Sequence, residues 1–258
     1  MPLPKHQIDE IIDLLVTQIR RKLETYNPET NSMPFHTRLL GKDRMALYSF
    51  IQSINTTLGT SVFEQVAVLI GTPRFQRIER QYTIGTQMSS SAQSLIQDLM
   101  DGLRTSAIKP DKSRETIDIL NVSGEGNSRS VKATRVDLFI IDEHGTEYYI
   151  DIKTAKPNIG DFVGYKRTLL EWIALRGYVS QTTSIKTLLA IPYNPYEPQP
   201  YQRWTLQGLF DVANEILVAE EFWNFLGGPG TYQDTLDGFE KAGILLKPEI
   251  DRKFSEFA

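Results

Sequence analysis

The sequence predicts an α/β fold: a mixed sheet of about five strands flanked by helices, with helical additions at both ends. Three observations carry this. Residues 7–26, "QIDEIIDLLVTQIRRKLETY", place Ile8, Ile11, Ile12, Leu15, Ile19 and Leu23 at helical spacing. The periodicity then changes to an alternating, strand-like pattern over 134–154. A helix-patterned stretch, 159–176, separates those strands from a further apolar run, "SIKTLLAIPYN". Helices, then strands, then a helix crossing to another strand make one core sheet covered by helices.

In chain order, "YNPET" ends the first helix, because proline disfavours helix in the residue before it. "NSMPFHTRLLGK" is expected to be irregular. Short helices are expected at Arg44–Ile54 and Ser61–Ile70, on either side of a break at "TTLGT", and "GTP" closes the second. Ser89–Leu103 is a further helix behind a serine run rich in capping side chains. "ETIDILNV" (115–122) alternates and reads as a strand. "SGEGNSRS" reads as a polar loop. Strands follow at 134–142 and 146–154, and then the helix at 159–176 with Asn158 as its N-cap. "NPYEPQPYQRW" is a proline-rich loop, and 209–258 is largely helical apart from "LGGPGT". The reading is one domain over 1–258. It has a mainly helical part (1–104), an α/β core (105–200), where the chemistry is expected to sit, and a C-terminal helical part (201–258).

Composition narrows the chemistry. The chain of 258 residues has no cysteine, which removes disulfides, thiolate zinc sites and cysteine nucleophiles together. Its three histidines, His6, His36 and His144, are too scattered for a local metal motif. Any metal is therefore expected on oxygen ligands, favouring magnesium, manganese or calcium. No apolar run reaches the roughly 18 residues of a membrane helix, and "MPLPKHQIDEII" lacks a signal-peptide pattern, so a cytoplasmic protein is expected. The net charge of −4 hides a gradient: from Leu209 onward there are ten acidic and four basic residues. The balance is compatible with a polyanionic partner but does not require one.

The stretch "RVDLFIIDEHGTEYYIDIKTAKPN" poses the chemical question. With side chains alternating, Tyr149, Asp151 and Lys153 share one face of the second strand. Ile150, Ile152 and Thr154 share the other, which is expected to face the core. Glu143-His144-Gly145 fits a three-residue hairpin loop with glycine in the left-handed position. That register sets Asp137 opposite Asp151. Two neighbouring carboxylates repel unless a cation lies between them, and a divalent ion on oxygen ligands answers that. Asp137 and Asp151 are thus expected to hold magnesium (manganese substituting), with the Ile152 carbonyl as a third ligand and Lys153 assisting at a phosphodiester. A structural salt bridge on an exposed sheet face is the plainer alternative.

Asp137, thirteen residues, then Asp151-Ile152-Lys153 resembles the PD-(D/E)xK nuclease signature, with Val136 where a proline is usual. "YIDIKTAKPN", "YKRTLLEW", "YNPYEPQPYQRW" and "EEFWNFLGGPGTYQDTL" together resemble type II restriction endonucleases of the TdeIII type, over roughly residues 134–240. The resemblance implies a restriction-endonuclease-like core. It implies a homodimer that cuts both strands of duplex DNA at a short palindrome with magnesium, and a cognate DNA methyltransferase as functional partner. Members of the wider fold often add a carboxylate from a helix before the sheet. Glu64 is the first candidate here, with Glu79 and Glu115 behind it.

For DNA contacts, Arg74, Arg77 and Arg80 are expected along one helix face, where arginine suits guanine edges. Lys156, Lys166 and Arg167 are candidates for backbone phosphates. Asn194, Gln202 and Arg203 in the proline-rich loop are candidates for base edges. The plainer expectation is a solvated surface for the first two groups and a packing or dimer loop for the third. Rival readings are a structure-specific or repair nuclease of the same fold, and a non-catalytic DNA-binding protein.

Overall fold

The computed structural model describes residues 2–27, 33–153, 159–201, 206 and 208–256. The chain forms two compact units, a helical one from residues 1–70 and 227–258, and a sheet-bearing one from residues 71–226.

The helical unit joins both ends of the chain. Helix α1 (Lys5–Thr25) buries Ile11, Leu15 and Leu23 along the predicted stripe. Helix α2 (Pro34–Leu40) forms where an irregular segment is expected, with proline at its first position, where the missing N–H is harmless. Helix α3 (Lys42–Thr57) runs on through a π-helical turn (Leu58–Val62) into α4 (Phe63–Gly71). The expected break at "TTLGT" is thus a widened turn inside one helical run. The last helix of the chain returns to this unit. Leu23, Phe50 and Leu246 form one buried apolar cluster there.

The sheet-bearing unit begins with β1 (Arg77–Thr83) and β2 (Gln87–Ser89). Helix α5 (Ser90–Arg104) follows, its Ser89 cap accepting from the Ala92 N–H. Helix α6 (Lys112–Val122) corrects the strand expected at 115–122. Its buried positions, Lys112, Glu115 and Ile119, have helical spacing, while Ile117 is exposed. The Asp111 side chain caps it by accepting from the Arg114 N–H. After β3 (Ser128–Ser130) come β4 (Arg135–Ile141) and β5 (Glu147–Ile152), the predicted hairpin. Helix α7 (Ile159–Val179) crosses over to β6 (Ile185–Ile191). Then follow α8 (Val212–Glu215), β7 (Ile216–Val218), α9 (Glu220–Gly227) and, in the helical unit, α10 (Thr231–Ser255).

The main sheet has the order β1-β4-β5-β6-β7. Its first three strands pair antiparallel and its last three parallel, which makes it mixed and five-stranded as predicted. Strands β2 and β3 form a separate antiparallel pair. The expectation that the core face is that of Ile150, Ile152 and Thr154 alone is corrected, Thr154 itself lying outside the described residues. Tyr149, Ile150, Asp151 and Ile152 are all buried, because a central strand is covered on both faces. On one face Phe139 and Tyr149 join Phe162, Leu169, Trp172 and Ile173 of α7 in the core. Gly177 lets α7 approach α6: a Cβ there would lie 2.5 Å from the Ser123 hydroxyl.

Candidate active site

The hairpin register is the one the turn chemistry predicts. Leu138 pairs with Ile150 and Ile141 with Glu147. The Asp142 N–H donates to the Thr146 carbonyl at 3.1 Å, and Gly145 has φ +80°. The Asp142 carboxylate stiffens the turn by accepting from the N–H groups of His144 and Thr146. Continued outward, this register brings Asp137 opposite Asp151.

The Ile152 N–H donates to Asp137 Oδ2 at 2.8 Å, which fixes the first carboxylate against the second strand. Lys153 is held past the end of β5 by its N–H, which donates to the Ala190 carbonyl of β6. Its Nζ lies 2.5 Å from Asp151 Oδ1 and 3.6 Å from Asp137 Oδ2. Burial pushes the Asp151 carboxyl well above the usual carboxylate range; Lys153 opposes the rise and Asp137 adds to it. Burial also disfavours the Lys153 ammonium, but the two carboxylates more than offset it, and its pKa lies above the ordinary lysine value. The three groups therefore form one electrostatic unit, with the Lys153 ammonium beside both carboxylates.

The side-chain donor set suits a hard divalent ion: carboxylate oxygens, without sulfur or imidazole. Among the described residues no group of three acidic or histidine side chains gathers for a metal. Two protein carboxylates with the remaining positions left to water is the habit of magnesium, which dehydrates reluctantly.

Tyr165 of α7 belongs to this site and was not singled out from the sequence. Lys153 Nζ lies 5.1 Å from its ring centroid, a cation–π distance. The available signal was an aromatic residue in the second turn of the helix after the charged strand.

Other expected residues are placed differently. Lys166 is a correction: it is fully buried, not at a DNA-facing surface. Its Nζ donates to Glu115 Oε2 at 2.6 Å and to Glu215 at 2.7 and 2.8 Å. Lys112 completes this buried group by donating to Glu215 and Thr187. Glu115 is therefore engaged in that group. Arg74, Arg77 and Arg80 do not share a helix face: Arg74 follows α4 in a turn, and Arg77 and Arg80 stand on strand β1. Arg77 is paired bidentately with Glu79 and lies over the Phe139 ring at 5.2 Å. The Asn194 amide is used inside its own loop, accepting from the Tyr196 N–H and donating to the Gln199 carbonyl. Glu64 is buried on α4 of the helical unit, while the trio stands in the sheet-bearing unit. Lys156, Asn158, Gln202 and Arg203 lie outside the described residues.

The chain as a whole is similar to known proteins. The family model described as type II restriction endonuclease, HinfI, matches residues 4–243. The chain belongs to this family. The resemblance seen in the motif strings thus holds at the level of type II restriction endonucleases, and the matching family is that of HinfI. Similar proteins include the type II restriction enzymes HgiEI and HgiBI of Herpetosiphon aurantiacus, each 26% identical. They cover 90% and 85% of this chain and 84% and 80% of their own lengths. The type II restriction enzyme MjaII of Methanocaldococcus jannaschii is 25% identical over 98% of this chain and 74% of its own length. Membership makes this HinfI-family chain a DNA-binding protein and a site-specific deoxyribonuclease in class. No described helix is long and apolar enough to cross a membrane.

Proposed function

We propose that this chain is a magnesium-dependent homodimeric endonuclease that hydrolyses both strands of duplex DNA at a short palindrome, in the cytoplasm and beside a cognate methyltransferase. The convergence of Asp137, Asp151 and Lys153 at the ends of β4 and β5 carries this reading. Asp137 and Asp151 would hold the ion, with the Ile152 carbonyl beside them. Bound there, magnesium (or manganese) would supply an acidified water and offset charge on the phosphodiester.

The chain's own groups do the rest. The Asp137 carboxylate is oriented before substrate arrives, because the Ile152 N–H already holds one of its oxygens. Lys153 keeps its proton, since both carboxylates favour the ammonium. It can therefore donate to a nonbridging phosphate oxygen, or orient the attacking water, as charge builds on phosphorus. Tyr165 limits the positions the ammonium can take. A two-fold dimer matches the two-fold symmetry of a palindrome and offers one site to each strand.

The test is incubation of long unmethylated duplex DNA with the protein, in magnesium and in EDTA, beside Lys153→Ala. Discrete fragments that need magnesium and disappear in the variant are expected. A wild-type protein that cuts nothing with magnesium or manganese would sink the reading.

A further inference from the structure

The sheet-bearing unit has a cleft beside the segment that leads to the carboxylate site. It holds about 430 Å³ and lies among α5, α7 and the segment that leads into β4. Apolar Met88, Ile96, Val131 and Leu175 and the cations Lys132 and Arg167 are among the residues that line it. Arg167 is the residue after the buried Lys166 on α7, so the helix turns one cation into the core and the next toward this cleft. Its Nη2 donates to Gln97 Oε1 at 2.8 Å, and the Gln97 amide is itself anchored on Asp101 at 2.7 Å. The guanidinium is thus held by a relay from α5 and keeps its other donors.

The chain between β3 and β4 continues the positive charge. Arg129, Lys132 and Arg135 recur at every third residue in "SRSVKATR" and are all exposed, with no acidic residue from Ser128 to Val136. Arg135 opens β4 two residues before Asp137, about 7 Å along the strand. Thr134, which lines the cleft, is about 10 Å from Asp137 by the same spacing. Glu171, one helical turn past Arg167, is the acid in the lining; burial pushes its carboxyl up while Arg167 opposes this.

We infer that Arg129, Lys132, Arg135 and Arg167 form a track for the sugar–phosphate backbone, delivering the strand to Asp137. The shape fits the ligand, since a backbone strand is convex and the cleft concave. The chemistry fits as well: exposed cations spaced along a chain neutralise successive phosphates without reading bases. The inference rests on the nuclease reading above and names where its substrate lies.

The experiment measures equilibrium binding to a cleavable duplex and to an unrelated duplex across salt concentrations in EDTA, for wild type, Lys132→Gln, Arg167→Ala and Arg167→Lys. Cleavage by each protein in magnesium is mapped in parallel. Lys132 is exposed, so its variant tests the idea without endangering the fold. Weaker binding to both duplexes is expected, with the salt slope smaller by about 1 per lost contact, and with Arg167→Lys intermediate. The positions cut should not change. Variants that bind and cut like the wild type overturn the track. Variants that change which sequence is cut overturn it in favour of base reading. A wild-type protein that neither binds nor cuts duplex DNA instead overturns the nuclease reading itself.

Discussion

Lys153 shows how much a single side chain depends on its surroundings. Its ammonium lies within 3.6 Å of two carboxylates and 5.1 Å from the Tyr165 ring. The carboxylates fix its charge and the ring restricts its place. Replacing Tyr165 by leucine should lower kcat with little change in KM, because the ammonium is still present but less well positioned. Phenylalanine, which keeps the ring face, should restore most of the rate. Steady-state cleavage of one short duplex separates the two quantities, and equal losses in both variants would show that the hydroxyl matters instead. At this scale Asp137, Asp151 and Lys153 were legible, because charges at period-two spacing in apolar strands have few explanations. The role of Lys166 was not, since its partners Glu115 and Glu215 lie 51 and 49 residues away in sequence. Lys166→Met should therefore destabilise the protein by about 3–5 kcal/mol in urea unfolding, because buried Glu115 loses its ammonium partner while Glu215 keeps only Lys112.

Strands and helices were legible in proportion to how apolar and regular they are. The hairpin, α5, α7 and β6 announce themselves, and loop chemistry alone gave the register that sets Asp137 opposite Asp151. Strand β1 did not, because an edge strand written "RIERQYT" is charged, and charge is how sheets protect their edges. It also breaks its own alternation. Gln81 has φ +55°, and the next residue, Tyr82, stacks on Phe139 at 4.2 Å although its ladder neighbour is Val136. Strand β7, three residues long, is too short to show a period. The pairing of β5 with α7 yields a prediction at this scale. Glu147 of β5 accepts two hydrogen bonds from Arg176 of α7, at 2.7 and 2.8 Å, and one from Tyr149. Burial raises its carboxyl, but these bonds outweigh burial and leave its pKa below the ordinary value. A lowered carboxylate stabilises the folded chain above its unfolded pKa, and that contribution fades as pH falls through the folded value. Wild type should therefore exceed Glu147→Gln by about 2 kcal/mol at neutral pH. The gap should close in acid, below the ordinary glutamate pKa of about 4.3. Urea midpoints at pH 7 and in acid measure it, and a gap independent of pH would count against the ion pair.

For the molecule as a whole, net charge was a poor guide. Each of the two units carries a net −2, so the acidic C-terminal stretch does not set one unit against the other. What would matter to a polyanion is local: the cations of 129–135 and Arg167. The division into units also makes metal binding testable without any cleavage. All three tryptophans, Trp172, Trp204 and Trp223, fall within residues 71–226, and the helical unit has none. Tryptophan fluorescence therefore follows the sheet-bearing unit, while far-ultraviolet ellipticity follows helices in both. A ligand that binds only the folded state raises its stability in proportion to the logarithm of concentration. If Asp137 and Asp151 hold magnesium, the fluorescence midpoint should climb with magnesium concentration in the wild-type protein. It should stay level in Asp137→Asn and Asp151→Asn. A shift that survives both substitutions would put the ion elsewhere in the sheet-bearing unit, and a shift seen only by ellipticity would put it among the helices.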